Sequence, residues 1–138
     1  MILLLQYTHI FATVLFLAAL GGCFSEHSGV MNIGIEGMMV MGALGGTLTM
    51  KLLSHAAPFV MVICTLLAAV TAGMAWSFLL SVPAVTYKAD QTLIGTAVNM
   101  LSVAAATVIV KAVNLDVTGK ASPTITYIEE KEALSFTA

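Results

Sequence analysis

Arginine is absent from these 138 residues, and charge of either sign is scarce: five lysines, seven carboxylates, 9% charged residues in all. A water-soluble domain carries about a quarter charged residues, so this chain cannot cover itself with a solvated surface. A nucleic-acid partner needs a basic stripe, and five dispersed lysines do not make one. Cysteine is nearly missing too. Cys23 and Cys64 both fall in apolar runs, without CxxC spacing or a neighbouring histidine, which fits small apolar packing residues better than a disulfide or a metal site. No nucleophile–base pair and no metal-ligand spacing is present, so the chain does not read as an enzyme. A Gly-rich phosphate loop ending in Lys-Ser/Thr is missing as well.

What is plentiful is apolar sequence. Apolar residues make up 59% of the chain and the mean hydropathy is +1.02. A hydrocarbon core of about 30 Å takes roughly 20 apolar residues per helix. The runs at residues 2–23, 29–50, 58–82 and 91–113 are long enough, so the expected fold is all-α, a polytopic membrane protein of about four spans covering 1–113. Leu20-Gly21-Gly22-Cys23 resembles a lipoprotein cleavage site, but no lysine precedes Lys51 to make a positive n-region. The third run opens on Pro58, a residue suited to a first helical turn. The tail, 114–138, holds Gly119, Pro123 and the run Glu129-Glu130-Lys131-Glu132, and it reads as solvated. An amino terminus in the cytoplasm would place Lys51, Lys111, Lys120 and Lys131 inside and Lys88 outside, as the positive-inside rule favours.

Helices in lipid associate through small residues and buried polar groups. Gly42 and Gly46 stand at GxxxG spacing in the second span, and Ala69, Gly73 and Ser77 at the same spacing in the third, where ordinary packing is the expectation. In the fourth, Gln91, Gly95, Asn99, Ser102 and Ala106 share one helical face, opposite bulky Leu93, Val98, Met100, Val108 and Ile109. With Gln91 and Asn99 on it, that face is either a packing seam or the lining of a path. In the second span, Ser28, Asn32 and Glu36 recur every four residues and would share a helical face. Gly29, Gly34 and Gly37 loosen this stretch and predict a glycine-broken or re-entrant segment, tolerated at membrane depth only where it is buried or lines a cavity. Mid-membrane, Glu36 costs about 2.5–3.5 kcal/mol on insertion scales if left facing lipid. It is therefore expected to face protein or water, either lining a translocation path with Asn32, Gln91 and Asn99 or serving as a structural carboxylate paired with a group such as Asn99.

Two blocks carry a family resemblance. Phe24-Ser25-Glu26-His27-Ser28-Gly29-Val30-Met31-Asn32-Ile33-Gly34-Ile35-Glu36-Gly37-Met38-Met39 and Lys88-Ala89-Asp90-Gln91-Thr92-Leu93-Ile94-Gly95-Thr96-Ala97-Val98-Asn99-Met100-Leu101 are similar to bacterial ABC transporter permeases of the nucleoside and simple-sugar uptake branch, relatives of the ribose and branched-chain amino acid permeases. The resemblance runs from Leu3 to Asn114 and implies the amino-terminal half of a permease in the bacterial cell membrane. It departs from the family at His27, where arginine is usual. By implication, this chain binds no cofactor itself. A second permease subunit completes the path, an extracytoplasmic solute-binding protein delivers the solute, and cytoplasmic ATPase subunits hydrolyse ATP. Two alternatives stay open on sequence: a small four-helix ion-coupled transporter working as a dimer with Glu36 as proton carrier, and a truncated, non-functional permease.

Overall fold

A computed structural model describes residues 1–54 and 57–126. Of these, 81% are helical and none lies in a strand. The order is α1 (Ile2–His27), α2 (Ile35–Leu52), α3 (Pro58–Ser81), a π-helical turn (Val82–Thr86) that continues α3, and α4 (Gln91–Thr118). Three helical stretches are long and apolar enough to cross a membrane: Leu3–His27, Pro58–Thr86 and Gln91–Thr118. α2 is the fourth and shortest of the helices, at 18 residues or about 27 Å.

The first two runs divide at a different place from the one hydropathy suggests. α1 continues through the polar residues Glu26 and His27 and stops at Ser28. Gly29 follows at φ +82°, in the left-handed region where a side chain would be strained. The chain stays non-helical until Ile35. The second span therefore does not begin at 29. Ser28 and Asn32 lie in the connecting segment, so they share no helical face with Glu36, which sits in the first turn of α2. The glycine-rich break is real, but it lies ahead of the helix and not inside it.

At the end of α3, Pro83 has no N–H to give to the preceding turn. The backbone widens there into the π turn, and Tyr87 N and Ala89 N both donate to Pro83 O at 3.3 Å. Asp90 then caps α4 by accepting from Thr92 N at 2.9 Å. α4 runs five residues beyond 113 and ends at Gly119, which takes the left-handed C-cap conformation at φ +68°.

α2 is the centre of the assembly, packing along α3 and against α4. Residues of α2 and α3 pair in antiparallel order: Gly34 faces Leu80, Gly42 faces Ala69, and Gly46 faces Thr65. The buried core is small, with Leu44 and Val110 joined by Met41, Leu48 and Ala106. α1 stands largely apart. None of its apolar window is buried, and its Gly22 lies near Ile35 at the start of α2.

The described part of the segment after α4, 119–126, is mostly exposed but tied to α4 by hydrogen bonds. Asn114 is fully buried; its Nδ2 donates to Ser122 O (2.9 Å) and Thr124 O (2.6 Å), and its Oδ1 accepts from Thr126 N at 3.3 Å. These bonds fold residues 119–126 back onto α4, where Pro123 and Ile125 border a groove with Leu44 and Val110. The charged run 129–132 lies outside the described residues. Asn114→Ala is expected to free this segment, raising amide exchange at Thr126 about 10–100-fold, as the loss of two or three neutral bonds of roughly 1 kcal/mol each would give. Unchanged exchange at Thr126 would show that the fold-back does not depend on Asn114.

Candidate functional site

The polar residues singled out above gather at one end of the bundle, where the connection 28–34, the π turn and the start of α4 meet. Gln91 and Asn99 reach into the break. Gln91 Oε1 accepts from Met31 N at 2.7 Å. Asn99 Oδ1 accepts from Gly37 N at 2.8 Å, and Asn99 Nδ2 donates to Ile33 O at 2.9 Å. Backbone groups freed by a helix break are costly in hydrocarbon unless a neighbour satisfies them. Two side chains of α4 do so here. Ser102, fully buried, donates back to Asn99 O at 2.6 Å.

This contact demands close approach. A Cβ on Gly37 would lie 2.8 Å from Ser102 Oγ, 2.9 Å from Asn99 Oδ1 and 3.2 Å from Asn99 Cα. A Cβ on Gly95 would already sit 2.8 Å from Ile33 Cβ. The face of α4 that carries Gln91, Gly95, Asn99, Ser102 and Ala106 is thus the one turned to α2 and the break. Of the side named as its opposite, Leu93, Met100 and Val108 are exposed, but Val98 is 5% exposed and Ile109 packs against Leu44 and Val110, so these two belong to the packed side. Gly95→Leu is expected to push Ile33 off α4 and lower stability by about 1–3 kcal/mol, the usual range for overpacking. An unchanged midpoint in an SDS unfolding titration would refute the close approach at Gly95.

Asn32 and Glu36 are placed differently. Asn32 Oδ1 is enclosed yet accepts no hydrogen bond among the described residues. Its Nδ2 has only the Met38 thioether at 3.6 Å, a weak acceptor. Asn32 lies at the head of an apolar groove between α1, α2 and α3 that includes Leu17, Met38 and Leu66. Glu36 is exposed and borders an open groove with Thr96, Asn99 and Met100. Its position in the first turn of α2 suits an anion, since the helix dipole is positive there. The hydrogen bonds that Asn99 makes through its amide run to the backbone at Gly37 and Ile33 and not to Glu36, the partner suggested for it from sequence.

The sequence did not single out Gly45, whose Cβ would meet Ala72 Cβ at 2.6 Å and Ala68 O at 3.1 Å. It also gave no sign of Trp76, whose buried Nε1 has no acceptor among the described residues. Gly45 adjoins Gly46, so a helical wheel around the Gly42–Gly46 pair would have included it. Asn114 was readable only as the end of an apolar run. No group of three or more potential metal ligands occurs among the described residues.

A glycine-spaced α2 gripped by its neighbours, and a polar helix break braced by α4, lie within a sequence that matches the family described as branched-chain amino acid transport system / permease component, over residues 4–138. The chain belongs to this family. The match includes residues 115–138, which the resemblance read from the two blocks did not reach. Among curated relatives, the permease chain is 44% identical over 110 residues to the guanosine ABC transporter permease protein NupQ of Bacillus subtilis, covering 77% of this chain and 33% of NupQ. It is 30% identical over 97 residues to the nucleoside ABC transporter permease protein NupC of Lactococcus lactis, covering 67% of this chain and 29% of NupC. A shorter match, 66% over 35 residues, joins it to the putative glucose ABC transporter permease protein TsgC13 of Haloferax volcanii, covering 25% of this chain and 11% of that protein. The permease chain thus spans about a third of the length of the nucleoside permeases it matches. No solved structure matches it significantly.

Proposed function

We propose that this chain forms part of the membrane-spanning permease subunit of an ATP-driven importer for nucleosides. The observation that carries this reading is the 44% identity to a guanosine permease over 110 residues, a stretch that makes up most of the helical bundle. In this reading the chain sits in a bacterial cell membrane with its amino terminus in the cytoplasm. The break at 28–34 and the start of α4 then face the outer side, where an extracytoplasmic solute-binding protein would release its cargo. A second permease subunit completes the path, and cytoplasmic ATPase subunits drive it.

The geometry supports a division of labour among the four polar residues. Asn32 and Glu36 keep side-chain groups that no other described residue satisfies, and they are the proposed solute-facing pair. Gln91 and Asn99 brace the segment that carries them. The test is uptake of labelled guanosine by cells that make this chain together with the second permease subunit, the ATPase and the solute-binding protein of its host and lack other nucleoside transporters. Uptake is expected to require the ATPase, to be competed by other nucleosides and not by glucose, and to fall at least tenfold in Asn32→Leu. Uptake by the chain alone, driven by a proton gradient and abolished in Glu36→Gln, would overturn the reading.

A further inference from the structure

The first helical bond of α2 runs from Met38 N to Gly34 O, at 3.1 Å. In a helix that continued one residue further toward its amino end, the next bond would run from Gly37 N to Ile33 O. Both groups are in place, and both are occupied by one side chain. Asn99 Oδ1 takes the Gly37 N–H at 2.8 Å, and Asn99 Nδ2 gives to the Ile33 carbonyl at 2.9 Å. A carboxamide carries an acceptor and a donor side by side, which is the complement of the N–H and C=O that a helix would pair with each other. The side chain of α4 is spliced into the ladder of α2 where one backbone bond is missing.

We propose that this splice is a two-state element: α2 begins at Ile35 while Asn99 is inserted, and it extends toward its amino end through 31–34 when Asn99 withdraws. Each state satisfies Gly37 N–H and Ile33 C=O, so withdrawing Asn99 leaves neither of these two groups bare, which brings the two states closer in energy. The residues around the splice suit an equilibrium. Gly34 is a poor helix former, which favours the short helix. Gly29, already at φ +82°, can absorb the backbone rotation without strain. Asn32 Oδ1, enclosed and unpartnered in the short-helix state, gains a new environment in the long one. Met31 N would leave Gln91 Oε1, its partner at 2.7 Å. The withdrawn amide of Asn99 stays beside Glu36 and Thr96, in the groove those residues already share with it. Extension shortens the connection from α1, because a helical residue advances about 1.5 Å and an extended one about 3.3 Å. The element therefore links the position of α4 to that of the segment carrying Asn32.

The test is NMR of the full 138-residue chain in nanodiscs, comparing Cα shifts and amide exchange. In Asn99→Ala, residues 31–34 are expected to take helical shifts while Gly37 N–H stays within about threefold of its original exchange rate, now bonded to Ile33 O. If 31–34 stay non-helical and Gly37 exchanges tenfold faster or more, Asn99 is a staple and the two-state proposal fails. Should Asn99→Ala not give a folded spectrum, Gly34→Ala decides, because it favours extension with Asn99 intact. Its Cβ would meet only the Cδ1 end of the flexible Leu80 side chain closely, at 2.6 Å. Helical shifts at 31–34 and a change in the Asn99 amide signals are expected, and unchanged shifts at both places would overturn the proposal. Neither readout involves transport, so the permease reading stands or falls separately.

Discussion

Gly37→Leu is expected to separate α2 from α4, the largest single effect foreseen for this chain. The new Cβ would meet Ser102 Oγ at 2.8 Å and Asn99 Oδ1 at 2.9 Å, closer than real Cβ atoms approach anything. Rotating the Asn99 side chain away does not relieve the crowding, because Asn99 Cα is itself 3.2 Å off and Ser102 is fully buried. The α4 backbone has to move. Doing so gives up both bonds that Asn99 makes to the break, about 1 kcal/mol each, on top of about 1–3 kcal/mol for overpacking. In a background lacking Cys23 and Cys64, cysteines placed at Glu36 and Thr96, which border one groove, are expected to be joined by a short bifunctional thiol reagent. Adding Gly37→Leu should abolish that product and lower the SDS midpoint. A retained cross-link with an unchanged midpoint would contradict the geometry at Gly37.

Gly45→Leu is expected to have a comparable effect on the other side of α2. Its Cβ would fall 2.6 Å from Ala72 Cβ and 3.1 Å from Ala68 O. An alanine methyl and a backbone carbonyl cannot swing aside, so the two helices must part along their length. In lipid that seam is held by dispersion and close packing, with no hydrophobic drive to restore it, and a gap of 0.5–1 Å already forfeits about a quarter to a half of each contact. Loss of protease resistance along α2 and α3 and a fall of about 1–3 kcal/mol in unfolding free energy are expected. Gly21→Leu is the matched control. Nothing lies within 4 Å of a Cβ there, and leucine is the better helix former, so its midpoint should not fall. Equal losses in the two variants would mean that crowding at the α2–α3 seam does not set the stability.

Much of this protein could be read in one dimension. Lack of charge required a lipid-facing surface, and the spacing of apolar runs gave helices at nearly the right places, because the thickness of the hydrocarbon core dictates run length. Small residues at intervals of four marked Gly42 and Gly46 as seams, since a helix returns to the same face each turn. Periodicity failed at the break. Ser28, Asn32 and Glu36 keep a helical interval, but Gly29 at positive φ stops α1 and the helix restarts only at Ile35. The interval is a property of the letters, and whether the backbone between them is helical depends on what satisfies its N–H and C=O groups.

That dependence divides the two kinds of knowledge. Residue type and order alone show that the chain is membranous and helical, that its second apolar run is weakened by glycine, and that four polar side chains interrupt or flank apolar runs. These follow from solvation and local geometry, which are set by residue type and spacing. What those side chains touch is set by the packing of the helices. Gln91 turns to the backbone of the break and Asn99 to the start of α2, 60 and 62 residues away, and Asn114 holds the chain that follows it. Asn32 keeps an unpaired oxygen, and Glu36 borders an open groove. An amide on a helical face can line a path or repair a backbone, and the two look identical in sequence. The choice rests on whether an unbonded N–H and C=O stand opposite it, and only the packing of α4 against the start of α2 brings those groups within reach.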